Sequence, residues 1–241
     1  IDYYSIQPEK RVADRHYVAS TLDVPEVRSI VRKEKADLLV TACTDQALLT
    51  MARVSEELGL PCYITYEKAQ RVTNKALMKP IMEEAGIPTP KYAVIGSIRA
   101  GELDVNSFKF PVVVKPADCN SSKGVEKVHS EKEYYSSVER ALRLSRTNTC
   151  VVEEFVDGIE VSVDVFVADG RSSVLLLTET RKVPNTTAFT IVQSKYPVRT
   201  SERAYRRICS IAQSVCDSFE IENGPLLMQA IVQGDDVSVI E

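Results

Sequence analysis

The sequence is short of several things, and each shortage narrows what the chain can be. No apolar run approaches the roughly 20 residues needed to span a bilayer, so the 241-residue chain is expected to be a soluble protein of one or two domains. Only two histidines occur, His16 and His129, which argues against a histidine-based metal site. The six cysteines, at positions 43, 62, 119, 150, 209 and 216, include no CxxC pair, and most fall inside apolar strand or helix patterns. They read as reduced core residues of a cytoplasmic protein, and a disulfide framework does not fit their spacing. The net charge of −4 is mild and the basic residues are scattered, leaving no footprint for nucleic acid or an anionic membrane surface. No secretory signal is visible, although the chain opens on Ile1. Neither a Ser-His-Asp nor a Cys-His constellation stands out, and the GxxxxGK[ST] phosphate loop is missing.

What is present is a 44% hydrophobic chain with alternating periods, enough to bury a core. Val24 to Lys35 places Val27, Ile30 and Val31 on one helical face. Asp37 to Ala42 fits a buried parallel strand, Asp45 to Leu58 returns to helical spacing, Gly59 stops it, and Pro61 to Thr65 reads as another short strand. This β-α-β rhythm predicts a small parallel sheet with Thr41, Thr44, Asp45 and Gln46 at a crevice beyond its strands, or else simple helix capping by Thr44 or Asp45. A domain boundary is predicted near Glu67 to Thr73. Thr73 to Ala85 then predicts a helix with Thr73 as N-cap and Leu77, Met78, Ile81 and Met82 as its apolar face, ended by Gly86 and the linker Ile87-Pro88-Thr89-Pro90.

Four stretches carry the chemistry. Lys75 sits in the first turn of that helix, where a cation opposes the helix dipole and wants an anion nearby. Phe110 to Pro116 is an apolar strand that delivers Lys115, an amine that is expensive to bury without a counter-charge such as a phosphate. The loop after it, Asp118 to Gly124, offers Ser121, Ser122, Lys123 and Gly124: hydroxyls, an ammonium and a flexible backbone that can turn amides toward phosphate oxygens. Thr149 to Phe166 holds two β-branched runs, Cys150 to Val152 and Val161 to Val167, joined by a polar link. Glu153, Glu154 and Phe155 close the first run, and Glu160 follows beyond the Asp157-Gly158 turn. A purine needs an apolar slot, backbone donors and acceptors, and a carboxylate for two ribose hydroxyls, and this segment offers them in that order. An acidic surface hairpin would read the same way.

Taken together, Lys75 opening a helix that ends in AGIPTP, the strand PVVVKP, the SSKGV loop and EEFVDGIE resemble the ATP-grasp superfamily in that superfamily's own order, from about Asp37 to Glu241. The resemblance implies an α/β (α+β grasp) fold. A partial Rossmann-like, parallel pre-ATP-grasp domain would occupy residues 1–70. An ATP-grasp domain would occupy 71–241, with a small subdomain over about 108–152 and a cut-short C-terminal one over 153–241 that clasp ATP between antiparallel sheets. It implies that Lys75 and Lys115 bind phosphates, that the loop at Ser121 to Gly124 closes over them, that Glu154 and Phe155 hold adenine through their backbone, and that Glu160 takes the ribose. Arg181 or Lys182, at the end of the strand Ser172 to Thr180, would reach the γ-phosphate, Arg181 being the chosen candidate. Pro184 to Pro197 would reach over the site.

Beyond these, Glu202 to Phe219 predicts a helix with Ala204, Ile208, Ile211, Ala212 and Val215 inward, and Leu226 to Val232 and Val237 to Glu241 predict a closing hairpin. Gln229 and Glu241 would hold Mg²⁺, with Mn²⁺ an acceptable substitute; a glutamine in place of an acid looks like the carbamoyl-phosphate-synthetase branch. The family pattern continues beyond Glu241 and begins before Ile1, so the chain reads as part of a longer protein. The implied function is an ATP-dependent, ADP-forming carboxylate–amine (or thiol) ligase acting through an acylphosphate on small-molecule substrates, with a homodimer compatible. The alternatives are a carbamoyl-phosphate-synthase large-subunit-like protein, a non-catalytic ATP-binding regulator, and a small-solute-binding module built on the N-terminal part.

Overall fold

The computed structural model describes residues 1–4, 8–41, 44–96, 105–183 and 189–241, and the chain divides into two compact units, Ile1–Thr73 and Asn74–Glu241. Among the described residues no helix is long and apolar enough to cross a membrane. Five described cysteines are free, with Cys150 and Cys216 buried.

The first unit is helical. Helix α1 (Val24–Glu34) starts where the Asp23 carboxylate accepts from the Glu26 N–H, and it buries Val27, Ile30 and Val31. Val27 and Val31 pack with Val54 of α2 (Asp45–Leu58). Met51 and Ala52 of α2 meet Ile64 and Ala69, the latter on α3 (Tyr66–Thr73). The strands predicted at Asp37 to Ala42 and Pro61 to Thr65 do not form among the described residues; Ala42 lies outside them. A parallel strand is stable when a neighbour completes its ladder and both faces are covered. Neither segment has a ladder partner here, and Leu38 and Val40 remain 56% and 75% exposed. The predicted crevice therefore has no strand ends to define it. Thr44 is instead the extended N-cap residue of α2, without a side-chain capping bond.

The second unit carries two antiparallel sheets. Helix α4 (Lys75–Glu84) is capped by the Asn74 side chain, which accepts from the Ala76 N–H, so the N-cap lies one residue beyond the predicted Thr73. Strands β1 (Tyr92–Ile95), β2 (Val112–Pro116), β3 (Glu126–Val128) and β4 (Cys150–Glu154) form the first sheet in the order β1-β4-β2-β3. Val112, Val114, Val128, Cys150 and Val152 on one face pack against Tyr134, Val138, Ala141 and Leu142 of α5 (Glu131–Leu144). Register sets the opposite face: Val113 pairs with Glu153 and Lys115 with Val151, so alternation turns Lys115 and Glu153 away from α5 together.

The second sheet comprises β5 (Ile159–Ala168), β6 (Arg171–Lys182), β7 (Ile191–Lys195), β8 (Gly224–Gln233) and β9 (Asp236–Val239), in the order β7-β6-β5-β8-β9. Helix α6 (Glu202–Ser218) packs on it and buries Ala204, Ile208, Ile211, Ala212 and Val215. On β5 the buried residues are Val161, Val163, Val165 and Val167, leaving Glu160, Ser162 and Asp164 on the other face. The segment Pro184 to Pro197 is partly resolved into β7, while 184–188 lie outside the described residues.

Strands β4 and β5 thus belong to different sheets, and residues 155–158 are the link between them. Gly158 in that link has φ 152°, and a Cβ there would lie 2.6 Å from the Val232 carbonyl oxygen and 2.7 Å from Ile231 Cγ2. Because the nearest obstacle is backbone, Gly158→Ala is expected to destabilise the protein by about 1–3 kcal/mol. Urea unfolding measures this, and an unchanged midpoint would count against the link geometry.

Candidate functional site

The face of β2 and β4 turned away from α5 meets α4 and the end of the β8–β9 hairpin. Of the predicted stripe, helix α4 buries Met78 and Met82 and leaves Ile81 half-buried, but it does not bury Leu77. Lys75, Met78, Lys79 and Met82 face inward while Leu77 is 46% exposed, a rotation that brings two lysines spaced i, i+4 to carboxylates. Lys79 is wholly buried: its ammonium lies 2.7 Å from Glu153 Oε1, donates to Thr89 Oγ1 at 2.6 Å, and reaches the Val239 carbonyl at 3.3 Å. Lys115 takes the other oxygen of the same carboxylate, Glu153 Oε2, at 2.5 Å and donates to the Ile240 carbonyl at 3.4 Å. Lys75 donates to the Cys119 carbonyl at 2.9 Å and pairs with Glu241 Oε1 at 2.7 Å, which supplies the anion its place in the first helical turn demands.

Three ammonium groups thus converge on two carboxylates, leaving one positive charge in excess. Burial by itself pushes the Glu153 carboxyl up, but Lys115 and Lys79 outweigh it and hold it below the ordinary glutamate range. Burial likewise pushes the Lys79 ammonium below the ordinary lysine range, against the pull of Glu153.

Residues 240 and 241 reach the cluster through an irregularity. Both the Ile240 and the Glu241 N–H donate to the Gln229 carbonyl, at 2.9 and 3.3 Å, while the Gln229 N–H donates to the Glu241 carbonyl at 2.6 Å. Two residues opposite one is a β-bulge. Strict alternation would pair Glu241 with Met228 and turn it toward the buried face; the bulge re-aims it to the face of Gln229. Ser162 pairs with Gln229 and Glu160 with Ile231, so Gln229, Ser162 and Glu160 share that open face. Glu160 forms a very short ion pair with Lys182, whose ammonium stands 4.3 Å from the Phe189 ring centroid.

Not every residue chosen from the sequence meets this site as expected. Glu153 is 2% exposed with both oxygens facing lysines, so its side chain is an internal counter-charge and offers a nucleotide nothing directly. The N–H groups of Glu154 and Phe155 are spent on the Lys91 and Pro111 carbonyls at 2.9 and 3.0 Å, so neither N–H is left to donate to a base. Phe155 lies under Lys127, 3.3 Å from its ring centroid. Arg181 stands with Glu179, which accepts from its Nε at 2.8 Å, whereas Thr180 next to it meets Ser162 at 3.2 Å. The pleat therefore sets Arg181 on the opposite face from Glu160, and it is Lys182, two residues on from Thr180 and on the same face, that reaches Glu160.

The loop Asp118 to Gly124 begins where the Cys119 carbonyl binds Lys75. Asp118 anchors it by accepting from the Arg146 and Thr147 N–H groups at 3.2 and 3.1 Å. Ser121 and Ser122 both have positive φ, 54° and 57°, a strained pair for residues with a Cβ. The Lys123 N–H donates to the Asn120 carbonyl at 3.0 Å, and Gly124 has φ 74° with room for no Cβ beside Leu144 and Pro116. Lys79 and Thr89 were missed from the sequence. The signal for Lys79 was there: it lies four residues after Lys75 and one after Met78, on the stripe that a 3.6-residue period would bury.

Two antiparallel sheets, each backed by one helix and joined by a short link beside a lysine-rich face, are the ATP-grasp fold. N5-carboxyaminoimidazole ribonucleotide synthetase, solved as an ADP complex, superposes with a TM-score of 0.80 at 21% identity, covering 99% of this chain and 61% of that one. The chain belongs to the D-ala D-ala ligase C-terminus family, whose pattern matches residues 81–219, more than half of its length. Among curated proteins it is 31% identical over 160 residues to formate-dependent phosphoribosylglycinamide formyltransferase of Hydrogenovibrio crunogenus, a match spanning 65% of this chain and 40% of that protein. It is 26% identical over 161 residues to the carbamoyl phosphate synthase large chain of Clostridium botulinum, covering 66% of this chain and 15% of the relative. The chain therefore spans less than half the length of either relative.

Proposed function

We propose that this chain is the nucleotide-binding part of an ATP-dependent carboxylate–amine ligase. The observation that carries the proposal is the convergence of Lys75, Lys79 and Lys115 on two carboxylates, a buried group of cations with one charge in excess and its open side along residues 240–241. A polyphosphate supplies the missing anion. Lys75 and Lys115 would neutralise its oxygens, and Lys182 would either stay with Glu160 or move to the terminal phosphate once a ribose takes that carboxylate.

The chemistry of the donors also fits a hard divalent cation. Among the described residues no three His, Cys, Asp or Glu side chains gather as metal ligands, while Gln229 and Glu241 share one face, and Mg²⁺ bound with nucleotide needs only one or two protein oxygens. Bound there, Mg²⁺ would neutralise charge on the phosphates. The reaction we assign is attack of a substrate carboxylate oxygen on the γ-phosphorus with release of ADP. An amine then attacks the acylphosphate carbon and displaces phosphate. This needs cations and positioning and no protein nucleophile.

Coupled-assay measurement of ADP release tests the reading. Some carboxylate–amine pair is expected to raise Mg²⁺-dependent ADP release from the full-length protein at least about tenfold above background. Tight MgATP binding with no such rise for any acid and amine would instead mark a nucleotide-binding protein without turnover.

A further inference from the structure

Lys79 has no open side from which to touch a ligand, yet it is built into the cluster more completely than either neighbour, fully buried with three oxygen partners. Its consequence lies in the carboxylate it shares. Glu153 holds Lys115 through Oε2 and Lys79 through Oε1. With Lys115 as its only partner, Glu153 would neutralise that ammonium, and the pair would present almost no net charge to a phosphate. With Lys79 closing on the other oxygen, the carboxylate is balanced from within the core, and the excess charge of the trio falls at Lys115, the member nearer the open segment. The same lysine also fixes that segment: it donates to Thr89 Oγ1, which donates to the Val239 carbonyl at 2.8 Å, and the next two residues hold Lys115 and Lys75.

We infer that Lys79 is a positioning residue, the internal counter-ion of Glu153 that keeps the charge of Lys115 available to an anion. The inference rests on reading this face as a phosphate site. It makes a prediction that simple support of the fold does not. Removing Lys79 alone leaves Glu153 to quench Lys115, whereas removing Lys79 and the Glu153 charge together frees Lys115 again.

Isothermal titration of MgATP into wild type, Lys79→Met and the double variant Lys79→Met/Glu153→Gln, at one salt concentration, reads this directly. The single variant is expected to bind about tenfold or more weakly, and the double variant to recover to within about threefold of wild type. Binding by Lys79→Met within about twofold of wild type, or a double variant no tighter than the single, overturns the inference. Lys79→Gln, which can still bond Thr89, replaces Lys79→Met if the latter does not fold. In ligand-free protein the lysine side-chain ¹⁵N signal of Lys115 is expected to move in the single variant. An unmoved signal overturns the inference even if wild type fails to bind MgATP, a result that would itself overturn the proposed function.

Discussion

Replacing Lys115 with alanine is expected to weaken MgATP binding by about 10- to 100-fold, the equivalent of one charge-assisted hydrogen bond of roughly 1.5–3 kcal/mol. The fold should survive the change, because Glu153 keeps Lys79 as a partner and no buried charge is left unpaired. Loss of affinity with an unaltered melting curve is therefore the expected pattern, measured by calorimetry and circular dichroism on the same samples. The effect should shrink as salt rises, since the open side of the cluster is screened while its buried side is not. Unchanged affinity would remove Lys115 from the phosphate site, and with it the main support for an ATP-dependent reaction.

Much of this arrangement was legible in the sequence, and the parts that were not share a cause. Lys115 could be found because an apolar strand ending in a lysine is costly to bury without an anion, an argument local to Phe110 to Pro116. The β4 and β5 runs were legible from their β-branched residues, and the helices α1, α2 and α6 from their period. Long-range pairing was not. Nothing within the segment Cys150 to Glu160 says that its two strands enter different sheets, so a hairpin and an inter-sheet link read alike. The strands expected at Asp37 to Ala42 and Pro61 to Thr65 failed for the same reason: an apolar run becomes a strand only when another strand is present to receive its backbone. Helix α5 carries a legible signal, since Tyr134, Val138, Ala141 and Leu142 follow helical spacing, although the expectations above include no helix there.

The fine placement of charges lay further out of reach. Whether Arg181 or Lys182 faces Glu160 follows from the phase of β6, which an extra residue, Leu175, opposite Asp164/Val165 shifts part-way along the strand and no residue type announces; Glu241 likewise is turned to the open face by a bulge opposite Gln229. Bulges shift the alternation by one residue, so any assignment made by counting from a strand's start inverts beyond them. Glu153 shows the opposite limit. Its type and its place at the end of an apolar run point to contact with ligand, whereas the register with Val113 on β2 and Tyr92 on β1 puts it in the middle of the sheet, where buried lysines answer it.

That placement makes Glu153 the residue on which the stability of the second unit should depend most. Glu153→Gln keeps the shape and removes the charge, leaving Lys79 and Lys115 buried against each other without a counter-ion. Breaking one partner out of a buried pair typically costs about 3–5 kcal/mol, a large share of the stability of an ordinary domain. Urea unfolding is expected to show a loss of that order, and a loss below about 1 kcal/mol would mean that the lysines can escape to water. The pH dependence gives a second reading. Because the two lysines hold the folded Glu153 carboxyl below its unfolded value, its contribution is fully present above the usual glutamate range and is lost as pH falls through the lower, folded value. Glu126, held down by Arg140, acts with the same sign, so the informative quantity is the difference between wild type and variant. The gap in stability should be constant from neutral pH down to the ordinary glutamate range and narrow below it, as protonation does to the wild type what the substitution has already done to the variant.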